Sequence, residues 1–170
     1  MPGRVLAALA IAGSLLAIAL VARVGLDSGP PPPKVDLSVV MEDMSGAKVD
    51  LASFAGQPLV INLWATWCGP CRLETPQLVA LSEKFKPRGV AIIGISVDDQ
   101  PDAVRAFASE FGVRYPMLVG LGHDGFIRSL GYQDLLPFSV LVQADGTIAG
   151  QITGLKTTAD WESRIEALLR

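Results

Sequence analysis

The sequence predicts an α/β sandwich built on a central mixed sheet and preceded by a hydrophobic N-terminal helix. Between residues 35 and 170, short apolar runs of strand character alternate with amphipathic helical segments, which is typical of α/β folds. One run, LVINLW at 59–64, is apolar on both faces and therefore fits a strand covered on both sides. Asp145 and Gly146 lie between two further strand-like runs and favour a tight hairpin. A hairpin beside strands connected by helices makes the sheet mixed.

Residues 1–26 are expected to be a transmembrane anchor or a signal sequence. Arg4 and Arg23 bracket the uncharged, mostly apolar residues 5–22, which as a helix would measure roughly 27 Å, close to the thickness of a bilayer core. A cleaved signal peptide has a shorter apolar region followed by a small-x-small site. Two alanines with that spacing lie inside the run, so we favour a single-pass anchor. An anchor and a signal sequence both predict that the rest of the chain is exported across the membrane.

A proline-rich linker at residues 27–34 follows the apolar segment and contains the four consecutive prolines at 30–33. Consecutive prolines favour the extended polyproline conformation, which rises about 3.1 Å per residue. The linker is therefore predicted to be a short, stiff spacer. It would hold one folded domain, residues 35–170, a little off the membrane surface.

The strands of this domain are predicted from apolar runs bounded by turn residues. Two short strands flank a turn at Ser45 and Gly46, and the last two strands flank the hairpin already described. In chain order, the runs are VDLSVVMED, SGAKVDLASF, LVINLW, GVAIIGISV, VRYPMLV, FSVLVQ and TIAGQITG.

Four helices are predicted between or after these strands from apolar residues at spacings of three to four. Pro76 should kink the first helix, because proline lacks an amide proton and crowds the preceding turn. Gly112 suits the C-terminal cap of the second helix. The third is short and its signal is weak. In chain order, the helices span 70–86, 101–112, 126–130 and the segment DWESRIEALL.

Composition excludes several classes of function. The net charge is −3 and no basic run is present, which argues against a nucleic-acid partner. Two cysteines and one histidine cannot form a four-thiolate zinc site or a scaffold of several disulfides. His123 is expected to be structural or solvated, because no cluster of ligands accompanies it. We therefore expect no metal and no other cofactor, and we take the chain to act as a monomer.

The remaining chemistry lies in one pair of cysteines, Cys68 and Cys71, where the run LVINLW passes into a helix. At a helix start, the free amide protons and the positive end of the dipole stabilise an anion, so the thiolate of Cys68 should be favoured over the thiol. Cys71, one turn further in, should be shielded. An exposed thiolate beside a buried resolving thiol is what disulfide exchange requires.

Other roles for the pair are weaker. A disulfide across so short a loop constrains the unfolded chain little, which makes a purely structural role a poor explanation. Covalent haem attachment needs a histidine directly after the second cysteine, and Arg72 stands there. A metal site lacks further thiolates in this chain and would have to form between molecules. Redox chemistry is the favoured interpretation.

The segment NLWATWCGPCRLETP resembles the active-site segment of the thioredoxin superfamily, most closely that of the membrane-anchored TlpA/ResA-type thiol:disulfide oxidoreductases. The segments GVAIIGISVDD, FGVRYPML and LPFSVLVQADGTIAGQITG follow in that family's order, so the resemblance covers roughly residues 36–170. It implies a thioredoxin-like three-layer sandwich on the periplasmic or outer side of the cytoplasmic membrane. Such a protein receives electrons from a membrane thiol carrier and reduces disulfides of client proteins. Cytochrome c maturation is one process in which that family acts.

The resemblance also implies roles for single residues of the motif. Cys68 becomes the attacking nucleophile and Cys71 the resolving thiol. Gly69 and Pro70 match the dipeptide of reducing thioredoxins rather than that of strong oxidants. The sequence alone does not fix a reduction potential.

A substrate-binding surface around the pair is implied in the same way. Pro137 matches the cis-proline that faces the disulfide in this fold, and it would leave the backbone of Leu136 free for a substrate strand. The alternative for Pro137 is a trans proline that opens a strand. Trp67 and Trp64 are expected to be partly docking surface and partly core, because aromatic area near an exposed thiolate favours transient contact with substrates.

Glu74 resembles that family's active-site acid. Three residues beyond Cys71 on the helix, it could exchange protons with the pair through water, which requires a raised pKa. The alternative is a solvated helix residue. Cytosolic thioredoxins carry a buried acid where this chain has Asn62. Because an amide cannot titrate, a proton route would pass through Glu74 or through water.

Two other functions are left open by the sequence. A peroxide-reducing enzyme on a related fold would oxidise one thiolate to sulfenic acid, but no Pro-x-x-x-Thr-x-x-Cys pattern surrounds Cys68. A non-catalytic thiol-binding adaptor would bind clients on the same surface without turnover. The client itself is not fixed, because DLL before Pro137 and LPFSVLV around it depart from that family's usual sequence.

Overall fold

The computed structural model describes residues 32–170. The predicted anchor at 5–22 and most of the predicted linker lie outside the described residues. Across 32–170, none of the helices combines the length and the apolar character that a membrane crossing needs. At the start of the described chain, the backbone N–H of Val35 donates to Gly146 O at 3.0 Å, and Pro33 O accepts from the N–H of Ile148 at 2.9 Å. These two bonds fasten the first residues to the C-terminal hairpin.

One mixed sheet forms the middle of the molecule. Over the described residues its strands are β1 (Val40–Asp43), β2 (Lys48–Asp50), β3 (Leu59–Trp64), β4 (Ala91–Ser96), β5 (Met117–Val119), β6 (Phe138–Val142) and β7 (Ile148–Thr153). They are ordered β2-β1-β5-β4-β3-β6-β7. β3 pairs in parallel with β4, and β4 with β5. β1, β6 and β7 join antiparallel to their neighbours. The predicted mixed sheet is confirmed.

Helices cover both faces of this sheet. They are α1 (Gly69–Phe85), α2 (Pro101–Glu110), α3 (Asp124–Ser129) and α4 (Thr158–Leu168), with 3-10 turns at Leu51–Phe54 and Lys86–Arg88. Side chains of α1, α2 and α4 pack into one apolar cluster, and those of α3 pack into a second cluster on the opposite face. The described chain is therefore a three-layer sandwich, as the sequence predicts.

β3 lies at the centre of the fold and contributes side chains to both apolar clusters. All six of its residues are buried. Val60 and Trp64 belong to the cluster under α1, whereas Leu59, Ile61 and Leu63 belong to the cluster under α3. Successive side chains of a strand point to opposite faces of a sheet, so a strand without exposed positions must be covered on both sides. Asn62 lies between Val60 and Trp64 and therefore points towards α1.

α1 carries its buried stripe at helical spacing. Leu78, Leu81 and Phe85 are each at most 1% exposed. The helix runs continuously through Pro76 and ends at Phe85, where the 3-10 turn that contains Pro87 begins. The predicted end of this helix is thus confirmed to within a residue.

The strand predicted from SGAKVDLASF is wrong beyond Asp50, and the strands predicted from VDLSVVMED and VRYPMLV begin only at Val40 and Met117. The run SGAKVDLASF predicts a single strand, but β2 ends at Asp50 and a 3-10 turn begins at Leu51. The carboxylate of Asp50 accepts the backbone N–H of Ala52 at 2.9 Å. Aspartate readily satisfies free amides at a helix start, so this residue ends the strand and caps the turn. The predicted turn before β2 is confirmed, with Gly46 in the left-handed region at φ 82°.

Candidate active site

Cys68 and Cys71 lie where β3 gives way to α1, and they form a disulfide. Cys68 is the N-cap residue of α1. Its Sγ accepts the backbone N–H of Cys71 at 3.2 Å, and its own N–H donates to Ala65 O at 3.1 Å. In the reduced protein, an amide donor together with the positive end of the helix dipole favours a thiolate at Cys68.

Both sulfur-bearing side chains are recessed in this oxidised form. Cys71 is 2% exposed and Cys68 is 4% exposed. The predicted shielding of Cys71 is confirmed. The expectation of an exposed Cys68 is wrong for the disulfide, because both residues pack into the apolar cluster beneath α1.

The loop that leads to Cys68 is fixed by a buried carboxylate that follows β4. Asp99 accepts the backbone N–H of Thr66 at 2.8 Å and its hydroxyl at 2.6 Å. The hydroxyl of Ser96 donates to the same carboxylate at 2.6 Å. Charge-assisted hydrogen bonds of this kind are stronger than neutral ones. Asp99 therefore holds the approach to the disulfide in one conformation.

The two tryptophans near the pair have different surroundings. Trp67 is 66% exposed, and its indole N–H donates to both carboxylate oxygens of Asp98 at 3.2 Å. Trp64 is 1% exposed, with its ring centroid 4.1 Å from that of Phe107. The sequence predicts that both are partly surface and partly core; in the structure Trp67 lies on the surface and Trp64 in the core.

A groove of about 260 Å³ opens beside Trp67. Its charged side chains are three carboxylates and the guanidinium of Arg128, which lies 3.5 Å from one oxygen of Asp134. Burial raises the pKa of Tyr132, and the charges of Asp134 and Asp98 raise it further. The surface next to the disulfide is therefore acidic. The groove is lined by Trp67, Val97, Asp98, Asp124, Ile127, Arg128, Tyr132 and Asp134.

The Leu136–Pro137 peptide bond is cis, as the resemblance implies. Leu63 of β3 stands opposite Phe138 of β6, so Pro137 lies beside the end of β3, from which the chain runs to Cys68. The carbonyl of Pro137 accepts the N–H of Gly154 at 2.8 Å. Among the residues that the structure describes, the backbone of Leu136 makes no hydrogen bond.

Glu74 is buried rather than solvated, at 1% exposure. One carboxylate oxygen accepts the indole N–H of Trp161 at 3.2 Å, and the other accepts the side-chain N–H of Asn62 at 3.2 Å. Burial raises the pKa of Glu74, while these two donors and the backbone and charge of Lys156 act in the opposite direction. Burial thus acts on the pKa of Glu74 in the direction that proton exchange would require. Glu74 stands one turn after Cys71 on the buried face of α1.

The amide of Asn62 is itself held from the neighbouring strand. Its Nδ2 atom donates to Ser139 Oγ at 2.9 Å, and Ser139 stands directly opposite Asn62 in the register of β3 and β6. Asn62 and Ser139 are 3% and 1% exposed. A buried polar chain therefore runs from Ser139 through Asn62 and Glu74 to Trp161.

Arg72 joins the first turn of α1 to α2. Its guanidinium carbon lies 4.9 Å from the ring centroid of Phe111 and 5.6 Å from that of Phe107, and it pairs with Glu110. A guanidinium over an aromatic face is attracted by the ring quadrupole. These contacts fasten the first turn of α1 to the C-terminal end of α2.

Comparison with known proteins assigns this arrangement to a family. The sequence profile of the Redoxin family matches residues 31–169. The chain belongs to the Redoxin family. The thiol-disulfide oxidoreductase ResA of Bacillus thuringiensis is 33% identical over 129 residues, which is 76% of this chain and 73% of that protein. ResA of Bacillus subtilis is 30% identical over 118 residues, 69% of this chain and 65% of that protein.

Solved structures agree with this assignment. A thiol:disulfide interchange protein of the thioredoxin family from Chlorobium tepidum superposes with a TM-score of 0.74 at 28% identity, over 85% of this chain and 99% of the other. A secreted Mycobacterium tuberculosis disulfide oxidoreductase, homologous to Escherichia coli DsbE, superposes with a TM-score of 0.68 at 25% identity, over 77% and 96%. This Redoxin-family protein is accordingly a thioredoxin-like, TlpA/ResA-type thiol-disulfide oxidoreductase.

Three residues that support the site of this Redoxin-family protein are missed by sequence reasoning. Asp99 belongs to the segment GISVDD, where a carboxylate directly after a buried strand is a signal for a loop anchor. Ser139 is the single polar residue within the apolar run FSVLV, which is a signal for a buried hydrogen-bonding partner. Trp161 carries no comparable signal, because a tryptophan on an amphipathic helix is more often simply core.

Replacing Glu74 by glutamine should change how stability depends on pH. Because burial raises the pKa of Glu74, folding favours its protonated form. That contribution is fully present below the pKa of the unfolded chain and is lost as pH rises through the raised pKa of the folded state. We therefore expect wild type to lose free energy of unfolding relative to Glu74→Gln as pH rises from about 4 to about 8, on the order of 1 kcal/mol.

Urea unfolding of the oxidised proteins across this pH range measures the difference. Glu83→Gln is the matched control, because Glu83 lies on the same helix with its side chain 57% exposed. This control removes the same charge from the same helix at an exposed pair with Arg114, and the pH-dependent gap should be larger for Glu74→Gln than for the control. A gap between Glu74→Gln and wild type that is constant with pH would contradict the prediction.

Proposed function

We propose that this protein is a membrane-anchored, extracytoplasmic reductase of client-protein disulfides, with Cys68 as nucleophile and Cys71 as resolving thiol. The observation that carries the proposal is the position of the pair. Cys68 caps α1 and its sulfur accepts the amide of Cys71, so a thiolate is favoured at the residue nearer the surface. The second sulfur stays within reach and more deeply buried.

The proposed cycle consumes the dithiol form of the pair. The thiolate of Cys68 attacks one sulfur of a client disulfide, a mixed disulfide forms, and the other client sulfur leaves as a thiolate. Cys71, once deprotonated, attacks Cys68 Sγ, and the second client sulfur leaves. Two electrons pass to the client, two protons complete its thiols, and the Cys68–Cys71 disulfide remains. A thiol donor must then reduce that disulfide.

Glu74 is proposed as the acid–base group for Cys71. The two residues are three apart on one helix and both point inward, and side chains at this spacing are neighbours on a helix surface. A buried carboxylate with a raised pKa is suited to take a proton from a thiol and return it near neutral pH. Asn62 stands on β3 with an amide that cannot perform this exchange.

Client binding is proposed for the surface that surrounds the sulfurs. Gly69 and Pro70 are exposed at the start of α1, and Trp67 offers a large apolar area beside them. The unpaired backbone of Leu136, held in place by the cis bond to Pro137, can bond to an extended client segment in the manner of an added strand.

The cellular setting is proposed from the apolar N-terminal run and from the relatives. Residues 5–22 would anchor the chain in the cytoplasmic membrane, with residues 35–170 as the catalytic domain on the outer face and 27–34 as the spacer. The ResA relatives support the redox role, and the secreted mycobacterial neighbour supports an extracytoplasmic setting. The electron donor would then be a membrane thiol protein. Exported chains with disulfides, cytochrome c precursors among them, would be the clients of a monomeric enzyme.

The experiment that tests the direction of electron flow is a redox titration of the full-length protein against glutathione. We expect a reduction potential more negative than about −220 mV, in the range of reducing dithiols. The reduced protein should also convert insulin disulfides to thiols. A potential of about −180 mV or higher would place the pair with isomerases and oxidants and would contradict the proposal. Turnover of hydrogen peroxide without a disulfide substrate would contradict it as well.

A further inference from the structure

Two side-chain N–H donors of different chemical kinds hold Glu74 at equal distances, and the backbone of Lys156 acts on its pKa in the same direction as these donors. The indole N–H of Trp161 and the amide N–H of Asn62 each lie 3.2 Å from a carboxylate oxygen. An indole can only donate, whereas a side-chain amide carries donors on one end and an acceptor on the other. The two contacts suit the ionised carboxylate alike. They differ in what they offer the protonated acid.

The protonated form of Glu74 needs an acceptor for its O–H. The side chain is 1% exposed, and a buried donor without a partner is costly. Trp161 cannot supply an acceptor. A half rotation of the Asn62 amide about its last side-chain bond would put its carbonyl oxygen in the place of the NH2 group, where it could accept a hydrogen bond from this O–H.

Ser139 is the group that makes both orientations of the amide acceptable. The same Nδ2 atom that faces Glu74 also lies 2.9 Å from Ser139 Oγ, so whichever end of the amide occupies this position meets both neighbours. A hydroxyl accepts as well as donates. Ser139 can therefore accept from the NH2 group or donate to the carbonyl oxygen. The pairing of β3 with β6 keeps Ser139 opposite Asn62 in either case.

We propose that Asn62 and Ser139 form a reversible amide–hydroxyl pair. When Glu74 gains or loses its proton, the side-chain amide of Asn62 rotates by half a turn and its hydrogen bond with the Ser139 hydroxyl reverses direction. Asn62 thereby positions this acid in both of its forms. The inference rests on the proposed function, in which Glu74 takes the proton of Cys71 and returns it. An acid that must alternate between two forms in each cycle is then held in one geometry throughout. Asn62 is a positioning residue, since it acts through Glu74.

Two other titratable groups face Glu74. The charge of Lys156, just before α4, opposes the effect of burial on the pKa of Glu74. Tyr115, in the segment before β5, is buried, and the charge of Glu74 adds to burial in raising the pKa of its phenol. Cys71 lies one turn back on α1 and is held in the disulfide of the oxidised protein. The variants below leave all three residues in place.

The test compares the two donors by following the ionisation of Glu74 directly. Carbon-13 labelling of glutamate side chains allows the titration to be read by NMR in the oxidised full-length protein, with Glu74→Gln to assign the signal. Trp161→Phe removes the donor-only partner and should lower the acid dissociation constant of Glu74 about tenfold. Asn62→Leu removes an N–H at the same distance, but it also removes the acceptor. We therefore expect it to change that constant less than threefold.

A second readout follows the amide itself. In wild type, the side-chain amide signals of Asn62 should titrate with the same midpoint as Glu74, and this titration should vanish in Glu74→Gln. A tenfold fall in the dissociation constant for Asn62→Leu, equal to that for Trp161→Phe, would show that Asn62 is a fixed donor and would overturn the proposal. Amide signals that stay constant across the titration of Glu74 would overturn it too.

A double variant controls for a loss of stability in Asn62→Leu. Asn62→Leu leaves the buried hydroxyl of Ser139 without its partner, so the combination of Asn62→Leu with Ser139→Ala supplies the same comparison without an orphaned group. The measurement uses the oxidised protein and no client. Its failure would therefore leave the reductase function standing, and a missing reductase activity would leave the amide–hydroxyl pair standing.

Discussion

Replacing Cys71 by serine should stop the reaction at the mixed disulfide, with turnover reduced roughly a thousandfold or more, as is usual when a reacting group is removed. Serine keeps the backbone N–H whose bond to Cys68 Sγ favours the thiolate, so the first attack should proceed. The resolving sulfur is then missing, and the client remains bound to Cys68. Covalently trapped clients should accumulate while free reduced client does not.

Non-reducing electrophoresis of membranes that contain the full-length variant, followed by mass spectrometry of the linked partner, checks this result. Cys68→Ser is the matched control, because it removes the attacking sulfur and should trap nothing. An adaptor that binds clients without chemistry would treat both variants alike. Trapping by Cys68→Ser together with none by Cys71→Ser would reverse the assigned roles, and equal trapping by the two variants would contradict the assignment of a single nucleophile.

Gly120→Ala should destabilise the protein by about 3 kcal/mol, the upper part of the range for an overpacked interior. A Cβ atom at this position would lie 2.3 Å from the backbone oxygen of Ser96 and 2.8 Å from Cδ1 of Ile127. The amide of Gly120 donates to the same Ser96 oxygen at 2.7 Å. Relief of the clash would therefore separate the end of β5 from β4, next to the segment that carries Asp99.

Urea unfolding of the oxidised protein measures this effect. Gly125→Ala is the control five residues away, because a Cβ there meets nothing within 4 Å and alanine is favoured over glycine inside a helix by about 0.5 to 1 kcal/mol. The control should be neutral or slightly stabilising. A loss below about 1 kcal/mol for Gly120→Ala would mean that the sheet yields at this point more readily than packed interiors usually do.

The position of the redox pair follows from local sequence alone. A run without a polar face predicts the central strand, and the next apolar stripe predicts the helix, so Cys68 must stand at the helix start. The sequence leaves a solvated position open for Glu74, although Glu74, Leu78, Leu81 and Phe85 follow one another at spacings of four, three and four. An acidic residue at the helical spacing of a buried apolar stripe is a signal for a buried carboxylate, even though its charge alone would suggest an exposed position.

The partners of Glu74 could not be read from the sequence. Ser139 lies 77 positions from Asn62, and Trp161 lies 87 positions from Glu74. Contacts of this kind depend on strand register and on the docking of the last helix, which no local pattern specifies. The prediction of a strand beyond Asp50 was wrong for the opposite reason, because a local capping hydrogen bond outweighed the apolar alternation around Asp50.

The recessed disulfide selects its reaction partners by their flexibility. Trp67 directly before Cys68 and Leu73 two residues after Cys71 are each 66% exposed, whereas the two sulfur-bearing residues are 4% and 2% exposed. A rigid, rounded partner surface would meet exposed side chains such as these before it reached the sulfur atoms. A cysteine on a chain end, a long loop or a polypeptide that has not finished folding can enter. The thiol that reduces this disulfide should therefore lie on such a flexible segment, and cysteines on the surface of compactly folded proteins should react with it slowly.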